Sequence, residues 1–229
     1  MNSIKFPIPK VSIVIPAFNQ ENYIGRCLRS LLNQNMAREE FEIIVIDDGS
    51  SDKTSYAINL FSKHRGIHFR ALHNKKNMGL PASLNRGIRA AKGKYIVRVD
   101  ADDYVSENFI LFLYHYISNN PHMDAVACDY WLFDDKEKWI KRMNAIQKPI
   151  GCGIIFEKEK LIDVGLYNEK FLMHEELELM QRFKRSFKVF RLEMPLYRYR
   201  MHEKNMTKDA KRVKYFKKLL GESNRKEDK

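Results

Sequence analysis

The first half of the chain alternates two kinds of apolar spacing. Val11-Ser-Ile-Val-Ile-Pro16 is a β-branched run closed by proline, the pattern of a buried strand. Ile24, Cys27, Leu28 and Leu31 then recur at i, i+3, i+4 and i+7, which predicts an amphipathic helix over about residues 22–33. Glu42–Asp47 is a second strand, followed by a polar loop, Asp47-Asp-Gly-Ser-Ser-Asp52, that supplies N-cap residues for a helix over about 53–63. Ile67–Leu72 reads as a third strand. Leu80, Leu84, Ile88 and Ala91 mark a helix ending near Gly93, and Tyr95–Val99 is a fourth strand. Ser106 and the apolar positions to Ile117 predict a fourth helix.

Such alternation predicts an α/β fold with a Rossmann-like, mostly parallel sheet flanked by helices. Right-handed crossovers then gather the loops Pro16–Glu21, Asp47–Asp52, His73–Gly79 and Asp100–Asp103 at one sheet edge, where ligands of open α/β folds bind. Beyond residue 120 the pattern becomes mixed. Asp124–Trp131 and Lys138–Met143 read as strands flanking an Asp134-Asp135 turn. Gly151–Phe156 follows as a strand, then a short helix from Glu157, a helix over Glu175–Lys184 and strands near Phe187–Leu192 and Leu196–Tyr199. Residues 207–220 read as a basic amphipathic helix with Val213, Phe216 and Leu220 on one face.

Composition narrows the function. Of 229 residues, 44% are apolar and 31% charged, enough for a buried core. The net charge of +12 is concentrated: residues 184–218 carry 13 basic and 3 acidic side chains. Since the predicted ligand edge is acidic instead, a nucleic-acid-binding role is disfavoured. Cys27, Cys128 and Cys152 form no Cys-x-x-Cys pair, which fits reduced thiols and excludes a zinc ribbon. The N-terminus shows no signal-peptide pattern and no stretch approaches ~20 apolar residues, so the expectation is a cytoplasmic protein without a membrane span.

Three acidic groups could carry chemistry. Asp100-Ala-Asp-Asp103 follows a buried strand, and hard oxygen ligands so placed attract Mg²⁺ or Mn²⁺ shared with substrate phosphates. Asp47-Asp48-Gly49 offers acceptors for a base imide or a ribose hydroxyl, with Gly49 permitting a sharp turn. Glu175-Glu176, at a helix start, either serves as general base or complements the helix dipole. His202, after Tyr197–Met201, is a candidate metal ligand.

In order and spacing, Val11–Asn19, Ile46–Asp52, Asn77-Met-Gly79, Asn85-Arg-Gly87, Gly93–Asp103 and Tyr199–His202 resemble the family 2 glycosyltransferases of the GT-A fold, over about residues 10–205. The resemblance implies an inverting transferase that moves a sugar from a nucleoside-diphosphate donor, of the UDP type, to a hydroxyl of a glycan or lipid-linked acceptor in surface polysaccharide synthesis. It divides residues 1–205 into a nucleotide-sugar half, about 10–105, and an acceptor half, about 106–205, with 206–229 as a basic appendage. Residue by residue, it implies that Pro16, Ala17, Glu21, Asp48 and Asp100 line the nucleotide. Asp102, Asp103 and His202 would hold Mn²⁺ or Mg²⁺. The family's usual Glu-Asp pair is Glu175-Glu176 here, which makes Glu176 the implied base, with Glu175 or Glu178 as alternatives. That departure is also the one feature favouring a non-catalytic glycan-binding or scaffold module. The basic helix over 207–220 could lie on an anionic membrane face, or its apolar stripe could cover the domain or a dimer partner. A sugar nucleotidyltransferase is disfavoured, because Pro16–Glu21 lacks a glycine-rich phosphate loop.

Overall fold

The computed structural model describes residues 7–62, 66–202 and Tyr215, Phe216 and Leu219. Its first half builds the alternation: β1 (Val11–Ala17), α1 (Ile24–Leu32), β2 (Phe41–Asp47), α2 (Thr54–Ser62), β3 (His68–His73), α3 (Leu80–Ala90) and β4 (Tyr95–Arg98). The second half continues with β5 (Tyr104–Val105), α4 (Phe109–Ser118), β6 (Ala125–Asp134), β7 (Trp139–Met143), β8 (Ile154–Glu157), α5 (Lys158–Asp163), α6 (Glu175–Ser186) and β9 (Val189–Met201). Among the described residues these strands form one sheet in the order β3-β2-β1-β4-β8-β6-β9-β5, with β7 paired to β6. Strands β1 to β4 are mutually parallel, while β8 joins β4 antiparallel and opens the mixed half.

Burial explains the continuous apolar runs. All seven residues of β1 are buried, because helices cover both faces of the sheet. Alternate residues serve two cores: Ile13 and Ile15 share one with Leu28 and Leu31 of α1, and Val14 shares the other with Leu84 and Ile88 of α3. At nine residues α1 is too short to persist alone. Its five buried side chains, at roughly 1.5–3 kcal/mol each, hold it in place.

The sheet splits where the site lies. β2 stays paired with β1 as far as Ala17–Asp47, but β4 leaves it after Val14–Arg98. Pro16, which has no N–H to donate, sits in the stretch of β1 that has lost one neighbour. The strand order reverses between β1 and β4, so this split is the topological switch point at which open α/β sheets bind ligands.

Two expectations need correction, and one element was not foreseen. The two strands predicted over 187–192 and 196–199 are one strand, β9, whose register on β6 shifts around Asp129, with Pro195 opposite Asp129. Proline is tolerated at such a bulge, so it did not end the strand. Gly151–Gly153 bends before β8 instead of opening it. The two-residue β5 is too short for any periodic signal.

Most of the predicted helix over 207–220 lies outside the described residues. Phe216 is buried against Phe171 and Met173, with its ring centroid 6.5 Å from that of Phe171. This part of the apolar stripe therefore covers the domain itself. No helix among the described residues is long and apolar enough to cross a membrane.

Candidate active site

A cavity of about 660 Å³ opens at the C-terminal edge of the split. The loops after β1 and β2 form its floor and knit together through backbone amides. Asn19, in the left-handed region at φ 53°, donates its N–H to Ser50 Oγ (3.0 Å) and accepts from Ser51 N–H (2.9 Å). Asn is the side chain that best tolerates that conformation.

Asp48 is buried at the cavity wall and holds the next loop. Its Oδ1 accepts from Asn74 Nδ2 (2.6 Å) and Met78 N–H (2.9 Å), and its Oδ2 accepts from Gly79 N–H (2.9 Å). Gly49 beside it has φ +72°, and a Cβ there would stand 2.6 Å from the Lys76 carbonyl carbon. The β2 turn therefore requires glycine on both counts.

The Asp100–Asp103 loop is organised from below by two residues that sequence reading passed over. Arg98 ends β4 on the buried face. Its Nε donates to Asp100 Oδ1 at 2.7 Å and its Nη1 to Glu175 Oε1 at 2.9 Å. Burial opposes its charge, but Asp100 and Glu175 outweigh that and raise its pKa well above the usual value. Tyr197, fully buried on β9, donates its hydroxyl to Asp103 Oδ2 (2.7 Å) and accepts from Asp100 N–H (3.1 Å). The only sequence signal for Arg98 was a cation inside an otherwise apolar strand run. Tyr197 gave none.

Asp102 and Asp103 diverge. Asp103 turns into the core, where Tyr197 and Arg200 N–H (2.8 Å) donate to its carboxylate. Burial and the charges of Asp102 and Asp100 raise its pKa well above the usual range. Asp102 faces the cavity, its Oδ2 2.9 Å from His202 Nε2. His202 arrives on the end of β9, a hundred residues away in sequence, which is why spacing alone could not link it to the loop.

α6, whose start also lines the cavity, begins after His174, itself at φ 61°. Its three first-turn carboxylates have different surroundings. Glu175 is committed to Arg98, and Glu178 to Arg182 through bonds of 2.8 and 2.6 Å. Glu176 lines the cavity with His174 Nδ1 3.9 Å away. Burial, then the charge of Glu175, pushes the Glu176 pKa up to about 7. Gly151 packs against this pair: a Cβ there would meet Arg98 Nη1 at 2.6 Å and Glu176 Cβ at 3.0 Å.

Of the predicted site residues, Pro16, Ala17, Asp48, Asp100, Asp102, Glu175, Glu176 and His202 line the cavity. Two do not. Asp103 is behind the wall, and Glu21 points to the start of α2, where its Oε2 accepts from Lys53 N–H at 3.0 Å.

Ligand atoms of Asp100, Asp103 and Cys152 lie within 4.8 Å of one another and form a candidate cation-binding group. Its chemistry is mixed. Burial raises the Cys152 pKa well above the usual range, and a neutral thiol is a poor ligand for a hard divalent ion. The Asp102 carboxylate, facing the cavity beside His202, is by contrast a hard oxygen donor of the kind divalent cations take.

A family model for glycosyl transferase family 2 matches residues 12–174, and the chain belongs to that family. It is 40% identical over 112 residues to a poly(ribitol-phosphate) beta-glucosyltransferase of Bacillus spizizenii, covering 48% of this chain and 18% of that protein. It is 34% identical over 156 residues to an uncharacterized glycosyltransferase of Haemophilus influenzae, covering 68% of this chain and 43% of that one. The chain thus spans less than half the length of these curated relatives. The crystal structure of S. aureus TarS 1-349 in complex with UDP-GlcNAc superposes with a TM-score of 0.76 at 20% identity, covering 88% of this chain and 61% of that one. This agreement establishes the GT-A-type fold.

Proposed function

We propose that the chain is the catalytic domain of an inverting glycosyltransferase. It would move a sugar from a nucleoside-diphosphate donor to a hydroxyl of a glycan or lipid-linked acceptor in bacterial surface-polysaccharide synthesis. The observation that carries this reading is that one cavity is lined by Asp102 and His202 together with Glu176, whose pKa is raised. The names of the relatives, among them a poly(ribitol-phosphate) beta-glucosyltransferase, support the substrate class. The UDP-GlcNAc held by TarS supports a uridine donor.

In this reading the nucleotide lies along Pro16 and Ala17 and over the loop that Asp48 holds. Asp102 and His202 hold the divalent ion, and Asp103, fixed by Tyr197 and Arg200, orients the loop that presents Asp102. A divalent ion held there would supply Lewis-acid charge for the departing diphosphate. Glu176 accepts the proton of the acceptor hydroxyl as its oxygen bonds to the anomeric carbon. The carbon–phosphate oxygen bond breaks, and its electron pair leaves on the nucleoside diphosphate. A carboxyl with a pKa near neutrality is suited to this, since it is ionised at working pH yet still basic. Arg98 keeps Glu175 occupied, so a single carboxylate faces the acceptor. One base and one displacement give inversion.

The test is nucleotide release from a panel of nucleotide sugars with Mn²⁺ or Mg²⁺, comparing the native protein with Asp102→Ala and Glu176→Gln. Metal-dependent turnover of one donor, lost in both variants, is expected. Donor binding without turnover, even with lipid-linked acceptors supplied, would replace the transferase with a non-catalytic binding module.

A further inference from the structure

Tyr23 occupies the N-cap of α1 with no capping hydrogen bond from its side chain. Tyrosine is a poor choice there, where Ser, Thr, Asp or Asn satisfies a free amide. A residue that breaks a local rule points to use elsewhere. That use is visible in what packs on the ring and in what its hydroxyl bonds. One contact is His202, whose imidazole stacks on the phenol with centroids 5.0 Å apart and an interplanar angle of 22°. Another is the Arg200 guanidinium, 5.1 Å from the ring centroid. The hydroxyl donates to Asp135 Oδ1 at 2.9 Å.

Asp135 belongs to the turn between β6 and β7, and the same turn is tied down twice more. Glu137 Oε2 lies 2.8 Å from Arg26 Nη2 of α1, and its Oε1 lies 3.1 Å from Arg200 Nη2. Arg200 in turn donates Nε to the Asp102 carbonyl (3.0 Å) and its backbone N–H to Asp103 (2.8 Å). The hairpin tip therefore reaches the two cavity-facing donors through short links: Tyr23 to His202, and Arg200 to Asp102.

We propose that Tyr23, anchored by Asp135 at the β6–β7 tip, is the positioning residue that holds His202 against Asp102. This rests on the reading of Asp102 and His202 as the divalent-cation site. Outer contacts that orient a ligand ring set its affinity for metal, and losing one typically costs 10–100-fold. Aromatic stacking fixes the imidazole plane, and the hydroxyl bond fixes the ring that does the stacking.

The measurement is Mn²⁺ affinity of the donor-free protein, by the free-ion EPR signal, with the thermal midpoint of each metal-free variant recorded alongside. Asp102→Asn and His202→Ala must lose Mn²⁺ affinity; if they do not, the cation-site reading fails and not only the role of Tyr23. Given that loss, Tyr23→Ala is expected to weaken Mn²⁺ by about tenfold or more. Tyr23→Phe, which keeps the ring but frees it from Asp135, should lose a smaller factor. Asp135→Ala, which removes the acceptor, should match Tyr23→Phe, and the double variant Tyr23→Phe/Asp135→Ala should be no worse than either alone. Histidine ring NMR of the metal-free protein should show a shifted His202 signal in Tyr23→Ala and a near-native one in Tyr23→Phe. Native Mn²⁺ affinity and a native His202 signal in Tyr23→Ala would overturn the proposal. So would equal loss in the Ala and Phe variants accompanied by a matching fall in thermal midpoint, since that is what a merely structural side chain does.

Discussion

Glu176→Gln should make the protein more stable at alkaline pH while removing its chemistry, and both effects have one cause. The carboxyl pKa is about 7 in the fold against 4.5 for the free side chain. Between those values the folded chain keeps a proton that the unfolded chain has released, so stability falls as pH rises through this window. Above about pH 7 the full penalty is present, on the order of 3 kcal/mol at 1.36 kcal/mol per pKa unit. Glutamine carries no charge and avoids it. For a chain of this size each kcal/mol moves the thermal midpoint by roughly 2–4 °C, so the variant should gain roughly 6–12 °C at pH 8.5. At pH 4, where the native side chain is protonated in both states, the two proteins should melt together. Transfer should show the mirror image. Native activity should rise with pH through about 7, as Glu176 becomes able to accept a proton. The glutamine variant should lose that limb and about 10²–10⁴ in kcat. Differential scanning calorimetry across pH and a nucleotide-release assay give both curves. Equal midpoints at pH 8.5 would mean that the carboxylate bears no burial penalty. Retained activity would move the base elsewhere in the first turn of α6.

Other consequences of the geometry are open to direct measurement. Arg98→Met leaves Asp100 and Glu175 without their shared cation, and urea denaturation should report a loss of about 3–5 kcal/mol; a loss below 1 kcal/mol would show the ion pairs to be replaceable by water. Asp48→Ala removes the acceptor for Met78, whose amide should exchange with deuterium roughly tenfold faster or more, while strand amides in β1 keep their protection. Gly151→Ala puts a methyl group 2.6 Å from Arg98 Nη1 and should cost about 1–3 kcal/mol with a fall in kcat; Gly66→Ala, with nothing within 4 Å of its Cβ, meets no such obstacle, only its own positive φ.

The legible part of this fold is the part with local grammar. Strands β1, β2 and β4 announce themselves as short runs rich in β-branched residues, and α1 and α3 as 3.6-residue stripes, because their apolar residues are the ones the fold buries. Right-handed crossovers then place the intervening loops at one edge, so Asp48, Asp100 and Asp102 come together by topology alone. In the second half the same reasoning weakens. The strands pair across long stretches of sequence, β9 carries a bulge that a proline makes look like a break, and β5 has two residues. The order β8-β6-β9-β5 cannot be derived from any one of their patterns.

The site shows the same division in chemical terms. A cluster of acidic residues is visible in sequence, but which carboxylate does what depends on partners that the fold brings from elsewhere. Asp102 and Asp103 are neighbours in the chain, yet one meets His202 at the cavity wall and the other meets Tyr197 in the core. Glu175 and Glu176 are equally adjacent, and Arg98 separates them by occupying only the first. Substituting Glu for the family's usual Asp at position 176 therefore does not by itself remove a base. In the proposed reading a base needs a carboxylate that faces the cavity with a pKa near neutrality, and Glu176 has both. The extra methylene changes the reach toward the acceptor, so the departure bears on which hydroxyl is presented more than on whether one can be deprotonated.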